Sequence, residues 1–138
     1  MFSKACEIAA GYTIPIVILK REYSTKCSSS IGAGVIVNGD GWLLTANHIV
    51  EAMTDIDAKS AATLALLQQK HDIEADHSLT DKERRRQLNR INIAPNAPIA
   101  YSIWYGLPYQ VKISQWRGIQ AVDLALGKIE NFQPRLRA

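Results

Sequence analysis

A chain of 138 residues, 47% hydrophobic and 21% charged, suffices for one domain with a real core and is too apolar for a disordered one. Its net charge is +3, yet 8 of the 13 acidic residues fall between Glu51 and Asn92, where 7 basic residues nearly cancel them; the excess is scattered through Lys20, Arg21, Lys26, Lys112, Arg117, Arg135 and Arg137. A nucleic-acid groove needs a clustered basic stripe with interleaved aromatics, so no nucleic-acid partner is expected.

Residues 1–12 give only a weak lead-in. Lys4 could begin a secretory leader, but Glu7 and Gly11 interrupt the apolar stretch that such a leader needs, so the cytoplasm is the favoured compartment if Met1 is the natural start. Residues 14–23 (IPIVILKREY) are rich in β-branched side chains and read as a strand, with Pro15 near the start where a missing donor is tolerated. The apolar run 14–19 is far too short to span a bilayer, so no membrane partner is expected. Residues 24–32 read as a polar loop holding Ser28, Ser29 and Ser30. The two cysteines, Cys6 and Cys27, make no disulfide framework; they could pair only if the fold brings together the ends of the strand they flank, and are otherwise expected as reduced, half-buried thiols.

Residues 33–37 and 42–46 read as two strands of a hairpin around Asn38-Gly39-Asp40-Gly41, residue types that tolerate the left-handed backbone of tight turns. From about 51 to 92 the composition turns to alanine, leucine, glutamine, lysine and glutamate, without glycine or proline. Ile56, Leu64, Leu67 and Ile73 are spaced as one helical face. Thr80-x-x-Glu83 has the form of a capping box opening a second helix, with Leu88 and Ile91 inward and residues 76–78 as the joint. Pro95 and Pro98 end the helical pattern, and strands return at 99–105, 109–115 and 121–129. The order is strands, a helical hairpin inserted at about 51–92, then strands.

Two residues are the leading candidates for chemistry. His48 follows the apolar run Trp42-Leu43-Leu44-Thr45-Ala46-Asn47, and Asp123 sits between Val122 and Leu124, 75 residues later. An imidazole can exchange a proton near neutral pH, and a carboxylate can fix which of its nitrogens carries one, so each is a candidate for acid–base work. A charge between apolar neighbours is costly to bury without such a partner. Weaker candidates are a metal site from His71-Asp72 and Asp76-His77, whose spacing matches no zinc signature, and partner docking through Arg84-Arg85-Arg86, whose plainer role is a solvated surface. Trp104, Tyr105, Tyr109 and Trp116 read as an aromatic cluster in the later strands, in the core or at a barrel rim, with a peptide-contacting surface as the alternative.

The stretch Ile31-Gly32-Ala33-Gly34-Val35-Ile36-Val37 with Gly41-Trp42-Leu43-Leu44-Thr45-Ala46-Asn47-His48-Ile49-Val50 resembles the histidine motif of trypsin-like serine proteases, in its bacterial flavour. Val122-Asp123-Leu124-Ala125-Leu126-Gly127-Lys128-Ile129 resembles that family's aspartate motif. The likeness covers roughly residues 12–50 and 99–132 and implies a mainly β chain: residues 1–138 as a single antiparallel Greek-key β-barrel, the N-terminal barrel of a chymotrypsin-like pair, carrying the helical hairpin. It implies His48 as general base then acid, Asp123 as its orienter accepting the backbone amides of Asn47 and His48, and no cofactor or metal.

Three departures stand out. Asn47 takes a position usually held by alanine. Gly127 replaces an apolar residue and is expected to loosen its layer of the core. The family's Gly-x-Ser-Gly-Gly motif is nowhere in the 138 residues, and by resemblance the serine, the oxyanion hole and the specificity pocket belong to a missing C-terminal barrel. The chain alone is therefore expected to be inactive, with a peptide or protein as substrate of the whole protein, and to self-associate through its exposed inter-barrel face. The competing expectation is a complete non-catalytic interaction module whose helical insert binds a partner.

Overall fold

The computed structural model describes residues 2–134 as three α-helices and six strands. In chain order these are α1 (Phe2–Tyr12), β1 (Thr13–Glu22), β2 (Cys27–Ile36), β3 (Trp42–Ala46), α2 (Asn47–Ala75), α3 (Asp81–Leu88), β4 (Pro98–Tyr105), β5 (Ile113–Ile119), a single 3₁₀ turn (Gln120–Val122) and β6 (Leu124–Ile129). The strands form one sheet in the order β4-β1-β2-β3-β6-β5. The chain is thus mostly β with helices between β3 and β4, as expected. It packs as two compact units: Met1–Leu19 with Ser29–Thr54 and Ile103–Ala138, and Lys20–Ser28 with Asp55–Ser102.

The core of the first unit follows from the two-residue period of extended chain. Along β1, Ile14, Ile16 and Ile18 turn inward, and Ile16 is 0% exposed. Leu43 on β3 (0% exposed) and Ala125 and Ile129 on β6 line the same interior. Antiparallel registers Gly34↔Thr45 and Thr45↔Ala125 hold β2, β3 and β6 together, and the Thr45 hydroxyl donates to the Ala33 carbonyl at 2.8 Å. Small residues beside large ones fill this layer. A methyl group on Gly34 would come within 2.8 Å of a Leu43 methyl. Tyr105 is buried nearby in sequence to β4's end; its hydroxyl meets the Met53 sulfur at 3.7 Å, and burial pushes the phenol up to about 12.

Gly127 does not loosen the core. A Cβ there would lie 2.6 Å from both the Trp116 ring and the Ile113 side chain, so those side chains already occupy the space. The aromatics divide by environment: Trp104 is exposed, Tyr105 buried, Trp116 packed on Gly127, and the Tyr109 hydroxyl donates to the Gln133 carbonyl at 2.9 Å. The hairpin turn also works differently from the expectation. Asn38 acts through its side chain, its Oδ1 accepting the amides of Asp40 (3.1 Å) and Trp42 (3.2 Å), and only Gly41 is left-handed (φ 84°).

In the second unit α2 buries Ile56 with the small polar residues Ser60 and Thr63, whereas Leu64 points outward. Thr63 can be buried because its hydroxyl donates back to the Lys59 carbonyl at 2.8 Å. After α2 the chain turns through Asp76, whose carboxylate accepts the Ser78 amide and hydroxyl and is held below the usual range by them. Arg84 is no merely solvated cation: its guanidinium donates to the carbonyls of Asp76 and Leu79 and pairs with Asp81 at 3.0 Å, fixing this joint.

Helix α3 opens with both halves of the capping box. The Thr80 hydroxyl accepts the Glu83 amide, and the Glu83 carboxylate accepts the Thr80 amide at 2.9 Å. Replacing Thr80 by alanine orphans a first-turn donor and should cost about 1 kcal/mol of stability. Chemical denaturation would measure it; an unchanged midpoint would show that α3 is held by packing alone.

Other expectations change. Residues 2–12 are helical, and α1 buries none of its residues. Ser28, Ser29 and Ser30 lie on strand β2, not in a loop, because β1 supplies the pairing that their polar side chains do not advertise. Both thiols are free and exposed. Helix α2 begins at Asn47, several residues before the expected start of the insert.

Candidate functional site

Strand β3 ends at Ala46, which pairs with Leu124, the first residue of β6. That register sets the residue after one strand beside the residue before the other. His48 thereby meets Asp123 across 75 residues of chain. Asp123 closes the 3₁₀ turn in the left-handed region (φ 50°, ψ 43°), a conformation that aspartate tolerates better than most side chains. His48 is the second residue of α2, where the amides lack helical partners.

Three hydrogen bonds join the two segments. Imidazole Nδ1 lies 2.6 Å from Asp123 Oδ2, the His48 amide donates to Asp123 Oδ1 at 2.9 Å, and the Asn47 amide donates to the main-chain carbonyl of Asp123 at 3.1 Å. The carboxylate therefore takes the His48 amide at full strength, whereas the Asn47 amide bonds chiefly to the peptide carbonyl of Asp123 and acts on the carboxylate only weakly. The imidazole foremost and the His48 amide next hold the Asp123 carboxyl below its usual range, with the Asn47 amide adding the least. A negative charge at the start of α2 is also favoured by the helix dipole.

An ionised carboxylate only accepts, so Nδ1 carries the hydrogen and a neutral imidazole keeps its free lone pair on Nε2. That is the tautomer of a general base. The pair is not buried: the side chains are 69% and 53% exposed, and the apolar neighbours Ile119, Val122 and Leu124 are exposed as well. Burial therefore does not explain why an aspartate stands between Val122 and Leu124; the partnership with His48 does.

Stability should report the bond. A carboxyl whose folded-state pKa is depressed contributes stability above its unfolded pKa and loses it as pH falls through the folded value. Wild type should therefore exceed Asp123→Asn in stability at pH 7, and the difference should vanish at acid pH once the wild-type carboxyl is protonated. Urea titrations of both proteins across this range would check it; a difference independent of pH would refute the charge-assisted bond.

Asn47, the residue that departs from the resembled motif, is buried and satisfied. Its amide donates to Glu51 Oε1 at 2.8 Å, and the same oxygen accepts the Gln120 side chain at 3.0 Å. Asn47 Oδ1 lies over Gly118, where a Cβ would come within 2.0 Å of it. Neither Glu51 nor Gln120 was expected at this site. The only signal in the sequence was an asparagine and a glutamate four apart, which share one helix face.

No serine hydroxyl bonds His48 among the described residues. His71, Asp72, Asp76 and His77 gather no metal site, since no group of three or more histidine, cysteine, aspartate or glutamate side chains among the described residues could hold an ion. No described helix is long and apolar enough to cross a membrane. No protein-family model and no curated protein matches this chain.

Proposed function

We propose that this chain is the base-bearing barrel of a trypsin-like serine endopeptidase, with His48 as general base then acid and Asp123 as the residue that orients it. The observation that carries the reading is the 2.6 Å contact between His48 Nδ1 and Asp123, reinforced by the His48 amide on the same carboxylate. That geometry leaves Nε2 as the atom able to take a hydroxyl proton. The strand order adds support: β4-β1-β2-β3 is the spatial order of a Greek key, whose fourth strand returns by a long connection to lie beside the first. Here the long connection is the segment holding α2 and α3.

In the complete reaction a serine hydroxyl would attack the peptide carbonyl while Nε2 accepts its proton. The imidazolium so formed, steadied by Asp123, then returns that proton to the leaving amine as the acyl-enzyme forms. A water would repeat the sequence to release the acid. Since the 138 residues hold no Gly-x-Ser-Gly-Gly motif, serine, oxyanion donors and specificity pocket are assigned to a second barrel, which would cover Ile119, Val122 and Leu124.

The test is complementation. The chain alone should resist labelling by a fluorophosphonate probe, and peptidase activity should arise when it is mixed with a serine-bearing C-terminal barrel encoded with it. Labelling of this polypeptide at any serine would overturn the division of the triad. Stable binding of such a barrel without hydrolysis would favour a non-catalytic interaction module.

A further inference from the structure

One carboxylate oxygen ties the helix carrying His48 to the turn carrying Asp123. Glu51 lies one turn into α2, and its Oε1 accepts hydrogen bonds from Asn47 at the helix start and from Gln120 at the start of the 3₁₀ turn. Gln120 in turn closes that turn, its carbonyl accepting the Asp123 amide at 3.1 Å. Asn47 is held from the other side by the close approach of its Oδ1 to Gly118 on β5. Without this tie, the junction would rest on the β3–β6 register, the Asn47 amide and the dyad bonds themselves.

We propose that Glu51 and Gln120 are positioning residues that lock the 3₁₀ turn to the first turn of α2 and so keep Asp123 in bonding range of the His48 imidazole. This rests on reading His48 and Asp123 as a base and its orienter, but its geometric content can be tested without catalysis. Such a clamp is needed because both dyad side chains are largely exposed, so surrounding packing does little to hold them. A displacement of about 1 Å in such a pair can cost 10²-fold in rate.

The test uses Gln120→Ala, Glu51→Ala and Glu51→Gln, read first by the titration midpoint of the Asp123 carboxyl in carbon NMR. Loss of the clamp weakens the bonds to His48, so Gln120→Ala and Glu51→Ala should raise that midpoint toward the ordinary carboxylate value. Removing a nearby negative charge would by itself lower it, so the sign separates geometry from electrostatics. Glu51→Gln keeps an acceptor oxygen and should retain the low midpoint. Glu51 and Gln120 are themselves exposed, and circular dichroism would verify that the variants fold. Midpoints unmoved or lowered in both alanine variants would overturn the clamp. In the complemented enzyme the same two variants should lose about 10²-fold in kcat with KM little changed. If the wild-type mixture shows no hydrolysis, the proposed function fails, while the titration still decides the clamp.

Discussion

Asp123→Asn, assayed in the complemented two-barrel enzyme, should lower kcat about 10⁴-fold, and His48→Ala on the order of 10⁶-fold. The asparagine amide can donate to Nδ1, which must then accept, leaving the hydrogen on Nε2. An imidazole in that tautomer cannot take the serine proton. The change is nearly isosteric and keeps an oxygen for the His48 amide, which donates to Asp123 at 2.9 Å, so the fold should survive it. On the proposed reading substrate binding falls to the second barrel, so KM should move little. The removal of the imidazole itself is worse because it takes away the group that accepts the hydroxyl proton. Comparable rates for wild type, Asp123→Asn and His48→Ala would remove this pair from the mechanism, whatever the strand order.

The second large effect is on stability. Leu43→Ala should cost about 2–5 kcal/mol, because Leu43 is fully buried and its removal leaves a cavity that a β-sheet interior cannot readily collapse. Gly34→Ala should also destabilise, by about 1–3 kcal/mol, because its new methyl would overlap the Leu43 side chain at 2.8 Å. The double variant is the informative one. With Leu43 shortened, the alanine at 34 enters the vacated space, so the combined cost should fall below the sum by about 0.5–3 kcal/mol. Urea unfolding of the four proteins gives the cycle. Strict additivity would mean that the two side chains do not compete for one volume.

The same competition explains which parts of the fold could be read in advance. Features whose cause is local were legible: the alternating isoleucines of β1, the strand pair flanking residues 38–41 and the Thr80–Glu83 box each depend on residues within a few positions of one another. Features that depend on a distant partner were not. The polar run at Ser28 to Ser30 gains strand geometry from pairing in the sheet. Leu64, expected inward, is exposed while Thr63 is buried, because what lies against α2 decides the buried stripe and a threonine hydroxyl can satisfy itself on the preceding turn. Gly127 reads as a hole in the strand until the Trp116 ring is seen to fill it.

By itself, the sequence determined the material of the site: an imidazole after an apolar strand, an aspartate before another, no Gly-x-Ser-Gly-Gly motif in the chain, and helices placed between them. Resemblance suggested that the two belong together, but composition and periodicity say nothing about a pairing across 75 residues. Tertiary structure decided that, through the Ala46↔Leu124 register that aligns two strand ends. It also decided that the aspartate is exposed, that its carbonyl takes the Asn47 amide, and that Glu51 bridges to Gln120. The physical reason is range. Backbone propensity and capping act over one turn or one hairpin, whereas hydrogen-bond partners and filled volumes are set by which segments the sheet brings side by side.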